Sequence, residues 1–177
     1  MSSGTDGVET FGGKRVGAAV GVLLGLVMVG AAGAEGGPIS ISLDPGDWEA
    51  VPADGVELRL SEGAGPRGRP ALGLEYDFGG HGGWAAARVP VELELPESYE
   101  VRFWLRGDGE PNHLEVKLVD PSRDNVWWHV KRDLEWPASW TPVRIKERQV
   151  SFAWGPLPEA ERGGGPGRIG AIEFAIT

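Results

Sequence analysis

Asp124-Asn125-Val126-Trp127-Trp128-His129-Val130-Lys131-Arg132 is the stretch that decides the fold. Its β-branched and aromatic residues read as a strand. Successive side chains of a strand point to opposite faces, so the two adjacent tryptophans must part. With Val126, Trp128 and Val130 packed inward, Asn125, Trp127, His129 and Lys131 line the other face. A one-residue slip would exchange the two indoles. A flat aromatic beside an amide, an imidazole and an ammonium suits a polar ring such as a sugar.

Alternation of the same kind extends to both sides. Val56–Leu60, then Leu72, Leu74, Tyr76 and Phe78, give apolar positions two apart. Gly79–Gly83 reads as a hairpin turn returning through Trp84–Val89, and Val91, Leu93 and Leu95 continue the pattern. Tyr99, Val101, Phe103 and Leu105 are opposed by Glu100, Arg102, Trp104 and Arg106. Leu114, Val116 and Leu118 follow, and after 124–132 come Val143 and Ile145. A long Gly- and Pro-rich loop is expected over Phe152–Arg168, with Ile172, Phe174 and Ile176 beyond it. No window after residue 34 keeps a helical apolar stripe. Eight or nine short strands at regular spacing predict an all-β, antiparallel β-sandwich. Ile172–Thr177 reads as an apolar strand left unpaired at an edge, which sandwiches avoid; the expectation is a fragment lacking its last strand.

Combining these registers gives one outward face. It carries Trp104 and Arg106, Lys117, Asn125, Trp127, His129 and Lys131, and Lys146. A solvated sheet face is normally polar, and two tryptophans among the charges mark a recognition surface. Two plainer readings stay open. The 152–168 loop, with its own Trp154, could cover an indole, or arginines could stack on the rings as cation–π pairs.

The first 34 residues stand apart. Lys14-Arg15, the apolar Gly-rich run Val16–Gly30 and Ala32-Gly33-Ala34 have the order of an export leader cut before Glu35. The rival is a retained anchor, for which ~20 strongly apolar residues are needed. The expected division is therefore a signal peptide over 1–34 and one domain over 35–177, secreted or periplasmic, with no membrane contact after cleavage.

The chain has no cysteine, so disulfides, thiolate metal sites and a cysteine nucleophile are excluded. Its net charge of −9 makes nucleic acid an unsuitable partner. The acidic excess lies entirely in residues 35–100; residues 101–177 balance.

Leu74–Trp84, Phe103–Asp108, Asn125–Trp128, Trp140-Thr141-Pro142 and Ile172–Ile176 together resemble a carbohydrate-binding-module-type jelly roll. The likeness is to galactose-binding-like domains near carbohydrate-binding module family 11 and the complex I intermediate-associated protein family. It spans roughly residues 40–177. The resemblance implies a non-catalytic sandwich that binds polysaccharide or oligosaccharide through aromatics on a concave sheet, here Trp104 and Trp127. It also implies an accessory role beside a C-terminal catalytic domain, a further strand, and a structural calcium near that strand. Two other readings of the chain stand beside this one: a structural or interaction domain packed on a neighbouring domain, and a small glycoside hydrolase.

Catalysis finds little support. A glycosidase needs two carboxylates at a set separation. Glu75, Asp77, Glu115 and Glu173 are the strand-borne candidates, and none has an adjacent motif. His81, His113 and His129 match no zinc spacing and no nucleophile. Asp108, Asp120 and Asp124 form an oxygen-rich set of the type calcium uses, but turns select Asp for their own hydrogen bonds.

Overall fold

The computed structural model describes residues 20–31 and 38–177. Twelve strands form among these residues: β1 (Val20–Ala31), β2 (Ile39–Ile41), β3 (Glu49–Pro52), β4 (Glu57–Ala64), β5 (Pro70–Asp77) and β6 (Ala85–Glu94). They continue with β7 (Tyr99–Gly107), β8 (Asn112–Val119), β9 (Val126–Leu134), β10 (Thr141–Lys146), β11 (Ser151–Trp154) and β12 (Arg168–Ile176). All pairings are antiparallel. Sheet A runs β10-β7-β1-β5-β4, with β2 also on β1; sheet B runs β11-β9-β8-β12-β6-β3. The helical segments are short 3-10 turns, and no helix among the described residues is long and apolar enough to cross a membrane.

The alternation predicted from the sequence closes one core between the sheets. Leu72, Leu74, Val101, Phe103 and Leu105 of sheet A meet Val116, Leu118, Ile172 and Phe174 of sheet B. Phe103 and Phe174 join the layers edge to face, centroids 5.0 Å apart. The jelly-roll sandwich expected from the sequence is the fold found.

Three details differ from the sequence reading. Gly79–Gly83 does not close a hairpin: β5 belongs to sheet A and β6 to sheet B, so the segment crosses between layers. Gly79 and Gly80 take positive φ there, and Asp77 Oδ1 accepts from the Gly79 amide. Second, β12 is no edge. It pairs with β6 on one side and β8 on the other, so the unpaired apolar edge expected at Ile172–Thr177 does not exist. Third, the 152–168 segment is not wholly loop; β11 adds to β9 over Ser151–Trp154.

The expected leader is described only in part. Lys14-Arg15 and Ala32-Gly33-Ala34 lie outside the described residues. Within the apolar run, Val20–Ala31 is paired with β5 and β7 at the centre of sheet A, and Leu24 is fully buried in the core.

The two tyrosines of the chain, Tyr76 and Tyr99, are both buried. Burial pushes each phenol up to about 12, and neither buried hydroxyl has a hydrogen-bond partner among the described residues. The unfolded phenol titrates near ~10, so the native state holds its protons longer. The associated stability is complete below pH ~10 and is lost as pH rises toward 12. Phenolate absorbance should therefore rise with the loss of the folded circular dichroism signal, above the pH of free tyrosine. A simple titration near the free-phenol value would contradict it.

Candidate functional site

The register of β8 and β9 settles which tryptophan faces out. Lys117 pairs with Trp128, and Leu118 with Trp127. Leu118 is a core residue, so Trp127 is inward. It is 4% exposed and packs edge to face on Phe152 at 5.4 Å. Trp128 lies on the outer face of sheet B. Alternation with Val126 and Val130 as the inward pair places the two indoles the other way round, and the cross-strand register corrects it. In the fold Val126 instead joins Val119 and Ala171 in a small apolar cluster outside the main core.

The eight predicted site residues therefore do not share a surface. Trp104, Arg106 and Lys146 belong to β7 and β10 of sheet A, on the face away from the core; Arg106 stacks over Trp140 at 5.2 Å. Trp127, His129 and Lys131 lie on the inner side of β9, opposite Leu118, Val116 and Leu114. Asn125 is buried at the entry to β9, where its side chain donates to Asp120 Oδ2 (2.8 Å) and accepts from the Leu157 amide (2.9 Å). Only Lys117 remains on the outer face of sheet B. The cause is that β7 and β8, adjacent in sequence, sit in opposite sheets.

The outer face of sheet B nevertheless presents a built polar row. Cross-strand pairing aligns Arg88, Glu173, Lys117 and Trp128 on β6, β12, β8 and β9. At ~4.8 Å per strand, the row is about 14 Å long. Glu173 Oε2 accepts from Arg88 Nε (3.0 Å) and Nη2 (2.8 Å), and its Oε1 accepts from Lys117 Nζ (2.8 Å). Lys117 also lies 3.3 Å from Glu115 Oε2. Glu173, Lys117 and Glu115 are all buried, yet every charge has an opposite partner. Such mutual pairing is what allows ions at these positions.

Aromatic groups close one end of the row. Trp154 of β11 meets Trp128 edge to face at 5.5 Å, and Lys117 Nζ lies 5.5 Å from the Trp154 centroid. Trp154 is 46% exposed, as is Trp84 just before β6. Alanines 86, 171 and 175 lie between the large side chains as a low floor. At the other end, Arg88 borders a depression of about 210 Å³ shared with Asp47, Glu49, Pro90, Arg123 and Ala171.

Local sequence holds Trp154 in place. A Cβ on Gly155, whose φ is +135°, would fall 2.4 Å from Asn125 Oδ1, so β11 leaves its edge hard against the 120–125 turn. Asp120 fastens that turn. Burial alone would raise its carboxyl, but hydrogen bonds from Asn125, Ser122 and the Asn125 and Arg123 amides hold it below its ordinary value. Both its oxygens are used in these bonds. Among the described residues no three His, Asp or Glu side chains group as a metal site.

The strand carboxylates considered for catalysis fall into two places. Glu75 faces Ser61 and Arg59 on sheet A, and Asp77 caps the Gly79 turn. Glu115 and Glu173 share Lys117, so neither is free to act on a substrate unassisted.

The architecture is that of carbohydrate-binding-module-type jelly rolls. A family 11 carbohydrate-binding module of the cellulosomal cellulase Lic26A-Cel5E of Clostridium thermocellum superposes with a TM-score of 0.59. The match has 12% identity and covers 74% of this chain and 78% of that one. A family 11 module from Clostridium thermocellum in complex with a β-1,3-1,4-mixed-linked tetrasaccharide gives 0.56 at 13% identity, covering 86% and 87%. No protein-family model matches the sequence, and no curated protein matches it.

Proposed function

We propose that the chain is a non-catalytic carbohydrate-binding module whose ligand lies on the outer face of sheet B. The observation that carries this reading is the Trp128–Trp154 pair set at the end of the Lys117–Glu173–Arg88 row. Indole faces stack on the C–H patches of a pyranose, and the remaining donors and acceptors of the row hydrogen-bond its hydroxyls. Arg88 and Lys117 are matched by Glu173 and Glu115, a balance that suits an uncharged glycan. The likeness to modules of which one holds a mixed-linked tetrasaccharide supports the same class of ligand.

Affinity electrophoresis in gels containing mixed-linked β-glucan, xylan or mannan tests the reading. Retardation by at least one polysaccharide is expected. Absence of retardation, with the outer-face tryptophans shielded from quenchers only in the intact native protein, would instead assign the face to packing on a neighbouring domain.

The module is further proposed to act as an exported accessory domain of a glycan-active protein. Residues 14–34 support export by their order of charged, apolar and small residues. Cleavage before Glu35 would remove Val20–Ala31 from between β5 and β7, so leader and central strand are exclusive fates in one molecule. Intact mass of the native extracellular protein distinguishes them. A mature N-terminus at Glu35 supports export by cleavage. A chain still carrying Val20–Ala31 refutes it.

A further inference from the structure

The inner side of β9 breaks the pattern of a sandwich core. After Trp127, the next two inward positions are His129 and Lys131, directly opposite Val116 and Leu114. Core-facing strand positions call for apolar residues, and departures from that rule concentrate at functional sites. Here the departure coincides with a gap. Phe103, Leu105, Val143 and Ile145 of sheet A and Leu114, Val116 and Leu134 of sheet B leave a cavity of about 140 Å³, which His129 and Lys131 complete.

Its chemistry is one-sided. Apart from the two nitrogen-bearing side chains, every residue around it is an aliphatic or a phenylalanine. An engineered cavity of about 150 Å³ lined by leucine, isoleucine and phenylalanine accepts benzene, so the space matches a ring-sized apolar body. A sugar would leave its hydroxyls without partners there. His129 is held by a 3.0 Å contact between Nδ1 and the Gln149 carbonyl. Lys131 is exposed, and its ammonium makes no hydrogen bond or ion pair among the described residues. Glu100, on the outer side of sheet A, is already paired with Arg102 and Arg144.

We propose that this inter-sheet cavity binds a small monoanion with an apolar, ring-sized body, an aromatic carboxylate being the class that fits. The ring fills the space between the sheets and the carboxylate meets the Lys131 ammonium at the mouth. The site is separate from the outer face of sheet B and does not depend on glycan binding.

Benzoate and its neutral counterpart benzyl alcohol are the probes, followed by methyl chemical shifts of the whole protein. Benzoate should move the methyl signals of Leu114, Val116, Leu134, Val143 and Ile145. Lys131→Met keeps the apolar stem and removes the charge, so benzoate should weaken about tenfold with little change for benzyl alcohol. Val143→Phe fills the gap and should abolish both; Leu134→Phe serves if that variant does not fold. Trp128→Ala should leave benzoate binding intact. No methyl shift at saturating benzoate would overturn the proposal, as would benzoate affinity indifferent to Lys131→Met.

Discussion

Glu173→Ala is expected to lower the stability of the domain by about 3–5 kcal/mol, the cost of breaking a buried ion pair and leaving its partner uncompensated. Glu173 is the centre of the row, accepting from Arg88 on one side and Lys117 on the other. Its removal strands a lysine that is only 8% exposed. Glu115, at 3.3 Å, compensates Lys117 in part, but Arg88 loses its bonded carboxylate and keeps only Glu49, opposite it on β3, with which it makes no ion pair. For a domain of this size, 1 kcal/mol moves the melting temperature by about 2–4 °C, so a fall of roughly 6–20 °C should be seen by calorimetry. The companion variant carries Arg88→Met, Glu115→Met, Lys117→Met and Glu173→Leu together, so that no buried charge of the row is left without its partner. Replacing an entire buried network by apolar residues is often neutral or stabilising. The quadruple variant should thus melt near the parent yet lose retention on polysaccharide. Equal destabilisation by the single and quadruple changes would show that the row is not the electrostatic unit described.

The second large effect concerns the aromatic end. Trp128→Ala and Trp154→Ala should each weaken polysaccharide binding by about 2 kcal/mol, as central aromatic anchors do, or roughly thirtyfold. The indoles touch each other, so the double variant should lose less than the sum. Trp104→Ala is the informative control. Trp104 belongs to sheet A, and its loss should leave affinity unchanged. Trp127→Ala should behave differently again. Emptying a core position against Phe152 costs about 3–5 kcal/mol of stability, and any change in binding should follow the unfolded fraction. Isothermal titration beside thermal melts separates these cases. A loss of affinity at Trp104 with none at Trp128 would restore the face first expected from the sequence.

The sequence by itself determined the class of fold. Period-two alternation in Val101–Leu105, Leu114–Leu118 and Ile172–Ile176 requires half-buried strands, and each of these apolar sets lies in the core. It also determined that Trp127 and Trp128 must face opposite ways, since that is local geometry. Which of them faces inward was not local. It followed from the pairing of Leu118 with Trp127 and of Trp127 with Phe152, contacts made across strands. Val126 and Val130 gave a misleading cue, because β-branched residues suit either face of a sheet.

The site was less legible for the same reason. Arg88 and Glu173 are 85 positions apart, and Lys117 and Glu173 are 56 apart. Nothing in either neighbourhood announces a partner. Trp104 and Lys117 are close in sequence, and the turn between β7 and β8 carries them into different layers. Alternation states that a strand has two faces; only the assembled sheets decide which face is inside, which neighbour it meets and which charges it places in one row. Those outcomes depend on long-range pairings whose free energy arises when both sheets close over the core, and no window of sequence contains them.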